Sequence, residues 1–127
     1  MIIEYAGGMR LIARHRGLEM VTDQPKDGGG EDTAMTPTEL FVASLGSCAA
    51  VYVLYFAKRH EVPVEGMTIE VDYTYAEKPR RVGSVDIRIK LPAPVPEHQR
   101  AALLRSAEQC LVHNSLRQPP QVTISLS

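Results

Sequence analysis

Between residues 1 and 22, short apolar and polar pieces alternate, as in Ile2-Ile3-Glu4-Tyr5 and Met9-Arg10-Leu11-Ile12-Ala13-Arg14. Gly7-Gly8 and Gly17 punctuate them, and this rhythm predicts two or three short antiparallel strands. Residues 23–35, DQPKDGGGEDTAM, hold a proline, three glycines and four acids, and predict a loop. The rhythm then turns helical. Thr36-Pro37-Thr38-Glu39 is a helix start: the Thr36 hydroxyl can accept from the amide three residues on, Glu39 can reach back, and proline suits the first helical position. From Leu40 the apolar residues exceed one face. Phe41, Leu45, Cys48, Tyr52 and Tyr55 share one stripe, and Val42, Ala49, Val53 and Phe56 share another. A helix apolar nearly all round is buried nearly all round, so this one is expected to thread the middle of the fold or of a dimer. Lys58-Arg59-His60 suit the C-terminal dipole, and Pro63 marks the stop.

Two stretches, 66–76 and 82–91, next alternate with period two. Met67, Ile69, Val71, Tyr73 and Tyr75 form one apolar row, and Val82, Val85, Ile87, Ile89 and Leu91 the other, with Glu77-Lys78-Pro79-Arg80 as the turn. This predicts an antiparallel pair with one buried face. PAPVP, 92–96, is a rigid link. Pro96-Glu97 opens a second helix, with Ala101, Leu104, Ala107 and Leu111 on one stripe and Leu103, Cys110 and Asn114 on its neighbour. Pro119-Pro120 ends helix, and 121–126, QVTISL, predicts a last strand. The order β-β-helix-β-β-helix-β, mostly antiparallel, is an α+β sandwich, expected as a single domain over 1–127.

The bulk numbers narrow the function classes. At 127 residues, 44% hydrophobic and 23% charged, the chain reads as an ordinary globular domain. A net charge of -1 gives no reason to expect nucleic acid or an anionic membrane as partner. Residues 1–6 do not read as a signal peptide. The run Leu40–Ala57 is the nearest approach to a membrane span, but it is short and rich in Ala, Val and Ser, so a core helix is expected. Two cysteines without an export signal point to a reducing, cytoplasmic setting and against a standing structural disulfide.

Those two cysteines carry the candidate chemistry. The plain reading is that each is a small core hydrophobe. Small residues surround Cys48, however: Ser44, Gly46, Ser47, Ala49 and Ala50, which would let a backbone or ligand come close. Cys110 is followed by LVHNSLRQPP, where polar groups replace apolar ones. A metal site has little support, since there is no CxxC or HxxxH and only Cys110 and His113 have a ligand-like spacing. A cysteine hydrolase would use His113 as base, without any nucleophile signature around either thiol. DGGGED lacks both nucleotide-loop spacings. A redox pair remains: one thiol is oxidised by a peroxide, the second condenses with it, and an external dithiol resets both. The attacking thiol needs a lowered pKa, for which an arginine among Arg10, Arg14 and Arg16 is the candidate.

PTELFVASLGSC, CLVHNSLRQPP and the element order around them resemble the OsmC/Ohr family, the osmotically inducible protein C and organic hydroperoxide resistance proteins. The resemblance covers nearly the whole chain, and is nearest to the broad OsmC-like branch. It implies an intertwined homodimer with antiparallel sheets around a long central buried helix and active sites at the subunit interface. In the peroxidase members the residue matching Cys48 attacks the peroxide and that matching Cys110 resolves it. An arginine of the N-terminal hairpin and a glutamate at the start of the central helix hold the thiolate and peroxide, and no metal or organic cofactor takes part. Arg16 and Glu39 are the matching candidates, with Phe41, Tyr52 and His113 as candidate substrate-binding residues. Two departures stand out. Thr38 occupies the place of the peroxidase glutamate, with Glu39 one residue, about 100°, further round the helix, and Leu111 stands where proline is usual. The implied activity is a thiol peroxidase acting on small apolar organic hydroperoxides, with hydrogen peroxide as a further substrate. The alternative is a non-catalytic or redox-sensing small-molecule-binding protein of the same fold.

Overall fold

The first three strands, β1 (Ile2–Tyr5), β2 (Leu11–His15) and β3 (Leu18–Thr22), make an antiparallel meander in the order β1-β2-β3. The computed structural model describes all residues, 1–127. The β2–β3 turn is two residues long, with His15 opposite Leu18. Both turn residues, Arg16 (φ 52°) and Gly17 (φ 78°), are left-handed, the geometry that matches the twist of a tight hairpin. On β2, Arg14 pairs with Glu4 of β1 and Glu19 of β3, tying the three strands across one face.

The 23–35 loop is held by a buried acid. Asp23 is 1% exposed, and its carboxylate accepts from the amides of Gln24 (2.8 Å), Glu31 (3.3 Å) and Thr33 (3.1 Å) and from the Thr33 hydroxyl (2.6 Å). A short 3-10 turn, Lys26–Gly28, lies inside the loop. Gly30 is required there, because a Cβ would collide with the Gln24 carbonyl. The hydrogen bond from the Thr33 side chain, more than anything else, holds the Asp23 carboxyl below its ordinary value, down to about 2, against the opposing effect of burial.

Helix α1 (Pro37–His60) begins as expected. Thr36 Oγ1 accepts from the Glu39 amide (3.1 Å), and Glu39 Oε2 accepts from the Thr36 amide (2.7 Å), a closed capping box. The chain forms two compact units, Met1–Phe41 and Val42–Ser127. In the second, β4 (Thr68–Ala76) and β5 (Arg81–Lys90) pair antiparallel, followed by α2 (Glu97–Glu108) and α3 (Leu111–Arg117). The core joins Ala49, Val53 and Phe56 of α1 to Leu103 and Ala107 of α2, with Ile87, Ile89 and Leu91 against them. A Cβ on Gly46 would come 2.6 Å from Val71 Cγ2, so α1 lies close on β4 at that point. The Ser106 hydroxyl donates to the Tyr52 carbonyl (3.1 Å), linking α2 to α1.

Three expectations need correction, and one is met only on one side. Within a single chain helix α1 is buried on one face: Val42, Leu45, Gly46, Ala49, Val53, Phe56 and Ala57 are covered, while Val51, Leu54 and Tyr55 (63% exposed) face outward, the side that the expected dimer would cover. A small sheet and one helix can cover only one side of it. By length and composition it is apolar enough for a membrane span, yet the covered side is core. The second helix does not continue through Cys110: α2 ends at Glu108 and α3 starts afresh at Leu111. Consequently Leu103, Ala107 and Cys110 are the buried positions there, and Leu104 and Leu111 are exposed. Residues 121–126 form no strand, because the segment has no neighbour to pair with; Val122, Ile124 and Leu126 are exposed. Finally, the period-two row of β5 slips at Val82–Val85, where a bulge opposite Thr74 and Tyr75 takes up Gly83. A Cβ on Gly83 would lie 2.8 Å from the Ala76 Cβ.

Candidate active site

Cys48 is set by α1, three residues after Leu45 and one before Ala49, both buried. It is part-buried, while Cys110 is 0% exposed, and both are free thiols. Cys110 occupies the break between α2 and α3. Its backbone is extended (φ -64°, ψ 147°), and its Sγ accepts from the His113 amide at 3.3 Å, so the sulfur itself is the N-cap of α3. Gln109 turns back on the Ser106 carbonyl and closes α2. The cysteine is thereby fixed by backbone on both sides.

The two thiols are neighbours, close enough for Cys48 to act on the titration of Cys110. Burial pushes the Cys110 thiol above its ordinary value; the His113 amide opposes that, and Cys48 adds to the rise through a side-chain hydrogen bond and like-charge repulsion. Two sulfurs in mutual reach, one part-open and one enclosed, are an asymmetric pair. The enclosed one is held as a neutral thiol, able to donate a hydrogen bond, and the open one is placed to meet a reagent.

Beside Cys110 lies a cavity of about 200 Å³. Leu45, Ala49, Val85, Ile87, Ala107 and Cys110 line it, together with Glu108 and His113. The setting suits a small apolar molecule with one polar end. Of the sequence-derived site residues, the fold brings Cys48, Cys110 and His113 together in the second unit. Tyr52 is not part of the lining; its ring meets Tyr55 edge to face, with centroids 5.7 Å apart. Phe41 stands in the first turns of α1, part-exposed. Arg16 sits in the exposed β2–β3 turn, and Arg14 is committed to Glu4 and Glu19. Glu39 is engaged in the capping box. The strand lining, Val85, Ile87 and Ile89, was readable as one face of a strand but not as the wall of a site. Glu108 carried no signal, since a helix-end acid usually lies in solvent. No group of three or more His, Cys, Asp or Glu side chains is arranged to hold a metal ion.

The model of the OsmC-like protein family matches residues 29–125, both cysteines included. The chain belongs to the OsmC-like family. Its solved relatives share the mixed α+β architecture of antiparallel sheets with helices. A Psychrobacter arcticus 273-4 protein, described as an osmotic stress induced and detoxification response protein, is 32% identical. It superposes with a TM-score of 0.84 over 90% of this chain and 85% of that one. The organic hydroperoxide resistance protein OsmC of Legionella pneumophila is 22% identical (TM-score 0.67, 91% and 88%). A Vibrio cholerae O1 biovar eltor protein named for organic hydroperoxide resistance, with captopril bound in one of its active sites, is 20% identical (TM-score 0.68, 92% and 83%). No curated protein sequence matches the chain.

Proposed function

We propose that this OsmC-like chain is a thiol-dependent peroxidase that reduces organic hydroperoxides through Cys48 and Cys110. The observation that carries the proposal is a part-open thiol neighbouring a fully buried one that lines an apolar cavity. The Cys48 thiolate attacks the terminal oxygen of ROOH. The S–O bond forms as the O–O bond breaks, sulfur is oxidised to the sulfenic acid, and RO⁻ takes a proton from solvent to leave as the alcohol. The Cys110 thiol then attacks the sulfenyl sulfur; its proton departs with the hydroxyl as water, and the disulfide remains. An external dithiol, in a reducing compartment such as the cytoplasm, returns both thiols by exchange. No metal or organic cofactor enters these steps.

The relatives named for hydroperoxide resistance support this reading. A homodimer belongs to it. Support comes from Val51, Leu54 and Tyr55 outward on α1 and from Ile2, Ile3 and Tyr5 exposed on β1, apolar surfaces that a second copy of the chain would cover. Arg16 is proposed to steady the Cys48 thiolate within that dimer. The competing reading, a binding protein without peroxidase activity, is favoured by the engagement of Glu39 as a helix cap.

The test is to treat the reduced protein with one equivalent of tert-butyl hydroperoxide and map the cysteines by mass spectrometry. A rapid Cys48–Cys110 disulfide is expected. It is absent in Cys48→Ser and replaced by over-oxidised Cys48 in Cys110→Ser. Two thiols untouched after minutes would leave the binding reading in place.

A further inference from the structure

A second cavity of the second unit is larger than the one at Cys110. About 380 Å³ in volume, it lies between the end of β5, the 92–96 link and α2. Ile89, Leu91, Val95, Leu103 and Leu104 supply its apolar walls. Pro92 and Pro94 form another side, and their fixed φ keeps that wall from folding in on the space. The sole charged lining group is Arg100. Its guanidinium takes part in none of the six ion pairs of the chain, in contrast to Arg14, Arg80 and Arg88.

A preformed apolar space with a single unspent cation at its side has a definite complement: an aliphatic chain ending in an anion. We propose that this cavity binds a medium-chain aliphatic carboxylate, the tail against Leu103 and Leu104 and the carboxylate on Arg100. Planar guanidinium and planar carboxylate suit bidentate pairing. The site is separate from the thiol chemistry, since neither cysteine lines it, and it stands whether or not the protein is a peroxidase. The two cavities nevertheless share Ile89 and Leu104 as walls. An occupant of one therefore presses on residues that shape the other, and binding should be felt at Cys110.

Sodium octanoate and octan-1-ol, titrated separately into the full-length reduced protein and followed by amide chemical shifts, test this. Octanoate is expected to bind saturably, shifting amides at 89–95 and 100–104. It should bind about threefold or more tighter than the alcohol, as befits a part-exposed ion pair. Arg100→Gln should remove that preference while alcohol binding persists, and Arg100→Lys should keep part of it. Ala93→Trp, which fills the cavity from its rim, should abolish both; if that variant does not fold, the Arg100 pair decides. Equal binding of octanoate and octanol by the wild type would overturn the proposal. So would shifts centred on the cavity at Cys110 and His113, or an Arg100→Gln protein whose oligomeric state changes, which would mean that a second copy covers this face.

Discussion

In Met1–Phe41 the residues withdrawn from water are Ala13, Thr22 and Asp23, two of them polar. In Val42–Ser127 they are apolar: Val42, Leu45, Val53, Phe56 and Leu103 among them, with Cys110. The N-terminal unit is organised by directed contacts, a carboxylate with four donors, an arginine between two glutamates and a closed capping box. The second unit is organised by packing of α1 and α2 on β4 and β5. Directed contacts fail one by one and respond to pH, whereas packing fails through lost volume and ignores pH.

The sharpest break of that contrast is Leu103→Ala. It should cost about 3 kcal/mol in urea unfolding, from lost transfer energy and the cavity left between α1 and α2. Gly46→Ala follows. Overpacking against Val71 is expected to cost about 1–3 kcal/mol, outweighing the gain of about 1 kcal/mol that alanine brings to a helix. A thermal midpoint raised by the substitution would show that β4 yields easily. In the N-terminal unit, Asp23→Asn acts through pH. The carboxyl is depressed from 3.8 to about 2, so its contribution is complete above the ordinary value and is lost as pH falls from there through about 2. Protection of the 24–33 amides, measured against their intrinsic exchange rates between pH 2 and 5, should therefore fall toward acid in the wild type and stay level in the variant. The smallest effect belongs to Thr36→Ala, about 1 kcal/mol, with fraying confined to the first turn of α1.

Local chemistry was legible in the sequence where neighbours along the chain satisfy each other. The capping box of Thr36 and Glu39 and the hairpin of β4 and β5 are of this kind. The Gly83 bulge escaped because period two was counted through it. The break at Gln109 escaped because cysteine is an unusual N-cap, and the sulfur takes that role only where the fold buries it. Asp23 looked like one more acid in a glycine-rich loop; the donors that enclose it lie up to ten residues away. The apolarity of α1 told how much surface avoids water, not what covers it: the chain itself covers one face and leaves Val51, Leu54 and Tyr55 outward. At the site, both cysteines were named from their settings, while the cavity beside Cys110 is made by four elements, α1, β5, α2 and α3, and exists only once they assemble.

The enclosure of Cys110 also makes it a clock. Cys110 has no exposed surface in the folded chain, whereas Cys48 is part-open, so alkylation of Cys110 waits on a local opening. With reclosing fast relative to alkylation, the labelling rate of Cys110 divided by that of a free thiol gives the fraction of time the site around it stands open. One mass spectrum per time point then reads a local equilibrium that global unfolding experiments average away, without adding a probe to the protein.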